Sequence, residues 1–284
     1  MSYNKVLTIQ DISCVGQCSL TVALPILSVC GQETVILPSA VLSTHTGGFK
    51  GNTFRDLTED IPSIVRHWRN EAILFDAIYT GYLGSIKQIA YVSEILSTMG
   101  KNKCIKVVDP AMADNGRLYS NFDSSYAEAM CELCKSADII MPNITEACIM
   151  TGVEYKEQYD DDYIISLIKE LKKNGMKTIV ITGVSYEKDS TGVIIAENDE
   201  ISYYRHEKLP KSSHGTGDIF ASAFVGAHLY GKNLYDSAKI AANFVLNAMK
   251  NTEGDSSHWY GVKFEPVLHT LIDSLSGRSC PIFY

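Results

Sequence analysis

Strand-length apolar runs alternate with helix-like stretches along most of this chain, and that alternation restricts it to a layered α/β fold. The runs are Val6 to Ile9, Thr34 to Leu37, Ala77 to Tyr79, Cys104 to Val108, Asp138 to Met141 and Thr178 to Ile181. Helical spacing is predicted between them at 19–30, 56–69, 87–99, 124–135 and 160–174. In the last of these, Ile164, Ile165, Leu167, Ile168 and Leu171 make one apolar face. Repeated strand-helix-strand units require right-handed crossovers and a largely parallel sheet covered on both faces. Gly192 to Tyr204 instead reads as an antiparallel hairpin around Asn198-Asp199, with helices after it at 218–230, 234–249 and 264–275. No linker, repeat or low-complexity tract divides the chain, so one domain over 1–284 is expected.

Composition narrows the function. A chain of 284 residues with net charge -8 has no basic cluster to neutralise a nucleic-acid backbone, so an anionic ligand must be held locally. The first residues lead directly into a strand pattern without a signal-peptide core. No apolar run reaches the roughly 20 residues that span a bilayer, so a soluble, cytoplasmic protein without membrane contact is expected. Its eight cysteines (14, 18, 30, 104, 131, 134, 148 and 280) are expected to be buried, reduced thiols. Cys131 and Cys134 have C-x-x-C spacing, but they lie in a helical pattern with no second pair to complete a zinc site.

Chemistry is predicted from the residues just past the end of each strand: Gln10-Asp11, Thr80-Gly81-Tyr82, Asp109-Pro110, Pro142-Asn143 with Glu146, and Thr182-Gly183. In a parallel sheet these ends share one edge, where α/β proteins bind ligands. Taken singly, each residue reads as a turn former or cap. Late in the chain, Gly215-Thr216-Gly217-Asp218 runs into the small-residue helix pattern of Ile219 to Phe224. The glycines allow backbone N–H groups to approach an anion at a helix N-terminus. Asp218 reads locally as a cap or as a base. Together the groups suit phosphoryl transfer to a hydroxyl, assisted by a metal ion. Neither a Walker A pattern nor a full dinucleotide fingerprint is present.

The Gly215-Thr216-Gly217-Asp218 segment resembles the catalytic signature of the ribokinase superfamily. Further segments resemble its pyridoxal (vitamin B6) kinase branch: 9–16 (Ile-Gln-Asp-Ile-Ser-Cys-Val-Gly), 43–48 (Ser-Thr-His-Thr-Gly-Gly), 80–85 (Thr-Gly-Tyr-Leu-Gly-Ser), 109–112 (Asp-Pro-Ala-Met) and 142–146 (Pro-Asn-Ile-Thr-Glu). They occur in the expected order over residues 5 to 250. The resemblance implies a three-layer α/β/α sandwich with a largely parallel central sheet, acting as an ATP- and Mg2+-dependent kinase on pyridoxal, pyridoxine or pyridoxamine. It implies Asp218 as general base and Gly215, Thr216 and Gly217 as the anion hole. It implies Asn143 and Glu146 at magnesium, acting through its waters, and Asp114, Tyr119 and Thr182 at the ATP phosphates. Asp114 and Tyr119 are expected in a loop after Asp109-Pro110. Asp11, His45, Thr46 and Tyr82 are implied around the substrate ring, and a homodimer is implied for the assembly.

Two departures stand out. Many members of the branch have Ser where this chain has Asp11, and a carboxylate there favours a protonated ring nitrogen or an amine. The stretch Ala113-Asp114-Asn115-Gly116 lacks a glycine that many relatives carry before the acid. His214 matches no role, and neither does the tail from Ser276 to Tyr284. The alternatives are a hydroxymethylpyrimidine kinase of the same fold, less readily a sugar kinase, and a vitamer-binding protein without catalysis.

Overall fold

The structure, a computed structural model, describes residues 3–210 and 213–277; residues 278–284 of the tail, Cys280 among them, lie outside the described residues. In chain order the strands and helices are β1 (Lys5–Ser13), α1 (Leu20–Val29), β2 (Glu33–Leu42), β3 (Phe54–Asp56), α2 (Ile61–Asn70), β4 (Phe75–Thr80), α3 (Ile86–Thr98) and β5 (Gly100–Val108). They continue as β6 (Ala113–Asp114), β7 (Arg117–Leu118), α4 (Ser124–Lys135), β8 (Ile139–Ile140), α5 (Ile144–Thr151), α6 (Asp161–Lys173), β9 (Thr178–Val184), β10 (Ser190–Glu197) and β11 (Glu200–Glu207). Three helices close the described chain: α7 (Thr216–Tyr230), α8 (Leu234–Thr252) and α9 (Leu268–Ser276). The result is an α/β fold with a large, mostly parallel sheet flanked by helices. Its residues group into two compact units, one made of 1–56 with 209–284 and the other of 57–208.

The first unit is discontinuous in sequence. Its β1 and β2 run parallel from Lys5 opposite Glu33 to Ser13 opposite Leu42, and β3 pairs antiparallel with the end of β2. Sequence reasoning ends β1 at Ile9 and β2 at Leu37, because Gln10-Asp11 and Pro38 interrupt the apolar runs. The ladder nonetheless continues, with an irregularity between Gln10 and Ile12 where the partner Pro38 has no N–H to donate. Asp11 therefore lies within a strand instead of after it, and it is buried. Helix α7 buries residues all round its axis, from Ile219 to Leu229. Gly226 lets α1 approach closely, since a Cβ there would come within 2.4 Å of Cys30 Sγ.

In the second unit β4, β5, β8 and β9 run parallel, and β10 and β11 extend the sheet antiparallel. The expected hairpin is present and longer than its apolar pattern, turning at Asn198, which takes a left-handed φ of 50°. The helix expected at 56–69 starts only at Ile61. Asp60 occupies its N-cap and a proline its first turn, while 54–56 are drawn into β3. Two elements go beyond the sequence pattern. Asn115-Gly116, both at positive φ, close the β6–β7 hairpin in place of the expected loop, and α5 forms behind an Asn143 cap. Among the described residues the cysteines are unpaired; Cys30, Cys134 and Cys148 are buried, whereas Cys18, Cys104 and Cys131 are half-buried and Cys14 is exposed, contrary to expectation.

Candidate active site

Helix α7 begins at a turn that tolerates only glycine at its N-cap. Gly215 has φ +78°, and a Cβ on it would lie 1.7 Å from the Gln17 carbonyl oxygen. Gly217 is different, because a Cβ there would meet open space. The fold does not require glycine at 217, but an anion approaching the backbone amides would. No side chain caps this helix end among the described residues, so the first-turn amides keep their positive dipole uncompensated by a cap. The Thr216 hydroxyl donates back to the Ser213 carbonyl at 3.2 Å.

Asp218 stands in that first turn, half-buried, and its Oδ2 accepts the Ser19 main-chain N–H at 3.0 Å. A second carboxylate shares the same anchor. Asp11 Oδ1 accepts the Ser19 hydroxyl at 2.6 Å and Oδ2 accepts the Ser13 hydroxyl at 3.0 Å. Burial pushes the Asp218 carboxyl up to about 6, against the Ser19 N–H that lowers it, and Asp11 raises it further. Asp11 is likewise raised by burial, with the Ser19 and Ser13 hydroxyls opposing. A carboxylate that is ionised near neutrality yet basic enough to accept a proton is what a general base needs.

Two of the residues expected around a substrate ring, His45 and Thr46, lie in the loop between β2 and β3. His45 is buried and has both nitrogens engaged: Nε2 faces the Tyr260 carbonyl at 2.6 Å and Nδ1 accepts the Gly47 N–H at 3.0 Å. Its ring also approaches Phe49 and His214. Thr46 is exposed. The 258–261 segment supports this loop through Trp259 and Tyr260, whose rings pack against Phe49. Nearby in sequence, Leu209, Pro210, Ser213, Met249, Thr252 and His258 help line a cavity of about 290 Å³.

The second unit holds the other predicted residues. Asn143 caps α5 and forms a reciprocal box with Glu146: Asn143 Oδ1 accepts the Glu146 N–H and Glu146 Oε2 accepts the Asn143 N–H. Glu146 Oε1 also accepts the Met112 N–H at 3.0 Å and the Ala113 N–H at 3.4 Å, binding α5 to the strand that starts the β6–β7 hairpin. Burial pushes the Glu146 carboxyl up to about 7, against these N–H donors. Thr182 meets Asn143 across a parallel bridge, and its N–H donates to the Pro142 carbonyl. Asp114 is exposed at the hairpin turn and accepts from Asn115, while Tyr119 continues past β7. Tyr82, expected beside Asp11 and Thr46, belongs to this unit; its hydroxyl accepts from Asn121 and its ring neighbours Phe122.

Among the described residues no group of three or more His, Cys, Asp or Glu side chains could hold a divalent cation directly, which suits contact through its waters. Direct ligation by Asn143 or Glu146 would compete with backbone N–H groups already bound to their oxygens. A carboxylate oxygen has lone pairs beyond one hydrogen bond, so Glu146 can still accept from metal-bound water.

A phosphomethylpyrimidine kinase family profile matches residues 62–261. The chain belongs to this family. It is a kinase, a phosphotransferase with an alcohol acceptor, and its fold is ribokinase-like. A Bacteroides thetaiotaomicron VPI-5482 protein assigned to the phosphomethylpyrimidine kinases, crystallised with pyridoxal, is 36% identical; the match covers 95% of this chain and 96% of that one, with a TM-score of 0.89. Pyridoxal kinase from Lactobacillus plantarum is 30% identical over 97% of this chain and 98% of its own, also with a TM-score of 0.89. The hydroxymethylpyrimidine/phosphomethylpyrimidine kinase of Bacillus subtilis strain 168 is 27% identical over 81% of this chain and 82% of its own. Family membership implies ATP as the phosphoryl donor.

In this kinase, sequence reasoning overlooks Ser19 and the 258–261 segment, and it leaves His214 without a role. Ser19 belongs to no motif, and no local pattern connects it to a carboxylate 199 positions later. His214 packs so closely on Gly47 that a Cβ there would lie 2.7 Å from its ring, a contact that spacing does not show.

Proposed function

We propose that this kinase transfers the γ-phosphoryl group of ATP to the 5'-hydroxymethyl group of a B6 vitamer, with Asp218 as general base. The observation that carries the reading is Asp218 itself: a burial-raised carboxylate at an uncapped helix end, anchored by a main-chain N–H. Asp218 would accept the hydroxyl proton as the oxygen bonds to the γ-phosphorus and the bond to the β–γ bridging oxygen breaks, releasing ADP. The amides of Gly215, Thr216 and Gly217 would stabilise charge on the transferring group. The cavity lined by Ser213, two residues before Gly215, and by the apolar Leu209, Pro210 and Met249 would take the nucleotide base.

Asp11, Thr46 and Tyr82 are assigned to the ring and its substituents. His45 is assigned to the same region, through its ring faces, since both its nitrogens are taken. Asp114, Tyr119 and Thr182 are assigned to the nucleotide phosphates. Asn143 and Glu146 are assigned to Mg2+ through its waters, and the bound ion would neutralise phosphate charge. Relatives named pyridoxal kinases, and the B. thetaiotaomicron structure with pyridoxal, support the vitamer. A cytoplasmic homodimer belongs to the same reading; sedimentation of the purified chain tests the dimer.

The family profile and the B. subtilis relative favour a second substrate, hydroxymethylpyrimidine. An ADP-release assay with Mg·ATP across pyridoxal, pyridoxine, pyridoxamine and hydroxymethylpyrimidine separates the two, with highest kcat/KM expected on a vitamer. With the Asp11 carboxylate, pyridoxamine or pyridoxine is expected to be handled at least as well as pyridoxal, and Asp11→Ser should change the ratio of kcat/KM among the three vitamers. Asp218→Ala should lower kcat by about 10²–10⁴-fold while leaving the KM for ATP nearly unchanged. Vitamer binding without turnover by the wild-type chain would replace catalysis with a binding role.

A further inference from the structure

Two departures from local preference coincide at Ser19. Its backbone adopts φ 55° and ψ -130°, a region that favours glycine. It occupies the N-cap of α1, where serine ordinarily bonds to the helix amides, yet it makes no such bond. Its hydroxyl donates to Asp11 and its main-chain N–H to Asp218. A residue that gives up both backbone comfort and its capping role is held there by the contacts it makes.

We propose that Ser19 is a positioning residue of the kinase: its N–H orients Asp218 and its hydroxyl orients Asp11, so one backbone conformation fixes both carboxylates. The inference rests on the assignment of Asp218 as base. In this conformation the N–H reaches Asp218 at 3.0 Å and the hydroxyl reaches Asp11 at 2.6 Å. The other titratable groups facing the pair are Cys18, beside both carboxylates in the preceding turn, and His45 from the β2–β3 loop, with His214 behind it. The Ser13 hydroxyl holds the remaining Asp11 oxygen.

Ser19→Gly keeps the N–H, relieves the backbone and deletes the hydroxyl. Asp11 then loses a donor that favours its charged form and is protonated more readily, which weakens its repulsion of charge on Asp218. The acid limb of the kcat/KM profile should move down by about half a pH unit, and KM for the alcohol should rise about tenfold. The melting temperature should hold or increase, whereas a purely structural serine would lose stability. In an Asp11→Asn background the same change should no longer move the limb, because the charge that transmits it is gone. Ser19→Val cannot adopt the conformation and should turn the N–H away, reducing kcat by about 10–100-fold; if it fails to fold, the glycine variant and the double-variant cycle still decide. A Ser19→Gly enzyme with the wild-type acid limb and KM overturns the proposal. Asp218→Ala run in parallel separates the failures: full activity there removes the base assignment itself, whereas an inactive Asp218→Ala beside an unaltered Ser19→Gly removes only the role of Ser19.

Discussion

Gly217 and Asp218 are neighbours in which fold and chemistry make opposite demands. Gly217 has room for a Cβ, so Gly217→Ala should preserve or slightly raise stability, by up to about 1 kcal/mol, through better helix propensity. If the amides of that turn receive phosphate, the added methyl should still cost at least about tenfold in kcat/KM for ATP, because it occupies the approach; steady-state kinetics with a thermal melt measures both. Asp218 bears the converse cost. Its folded-state value of about 6 lies above that of an unfolded aspartate, so the folded protein favours the neutral form. The penalty for its charge is absent below the unfolded value, near pH 4, and complete once the pH rises past about 6. Asp218→Asn should therefore be inactive yet more stable than wild type at pH 8, by about 2 kcal/mol, with the difference vanishing toward pH 4. Denaturant titrations at the two pH values check the sign.

At the scale of elements, the α5 N-terminus shows how structural and chemical duties share one side chain. Glu146 accepts three main-chain N–H groups, from Met112, Ala113 and Asn143. Glu146→Ala leaves those donors without their acceptor in a buried place and should cost about 3 kcal/mol, with exchange protection lost in α5 and the β6–β7 hairpin together. A substitution that lowered stability without touching the hairpin would break the link proposed between them. The same region marks the limits of reading by pattern. The Asn143-to-Glu146 spacing is legible both as a motif and as a capping box, but reading it only as a metal-binding motif leaves the helix it starts unassigned. Asn115-Gly116 is a strong turn signal, yet the strands it joins are two residues each, too short for periodicity to register. Pattern places Asp11 after its strand because polar residues end an apolar run, although a ladder responds to backbone pairing and not to polarity.

Over the whole molecule, the unit containing Asp218 is assembled from both ends of the described chain, and the unit containing Glu146 is the continuous stretch between them. We propose that the two behave as a single kinase domain. The chain has two tryptophans, Trp68 in the middle stretch and Trp259 in the discontinuous unit. Trp68→Phe and Trp259→Phe each leave one reporter, and both should give denaturant midpoints coincident with far-UV circular dichroism. Two separated midpoints would divide the chain into independent domains. No helix of the described residues is long and apolar enough to cross a membrane.

The sequence by itself determined the layered α/β class, most of the helices and strands, and the glycine-bracketed turn ahead of α7. Each of these is written in short-range terms: a period of 2 or 3.6, a residue without a Cβ, a cap three positions from its partner. Tertiary structure alone decided that Ser19 would join Asp11 to Asp218 and that the Tyr260 carbonyl would hold His45. Two of those contacts join segments about 200 positions apart and the third depends on where β1 ends, and they were chosen by the closing of the fold over burial and hydrogen bonding as a whole, which no local pattern encodes.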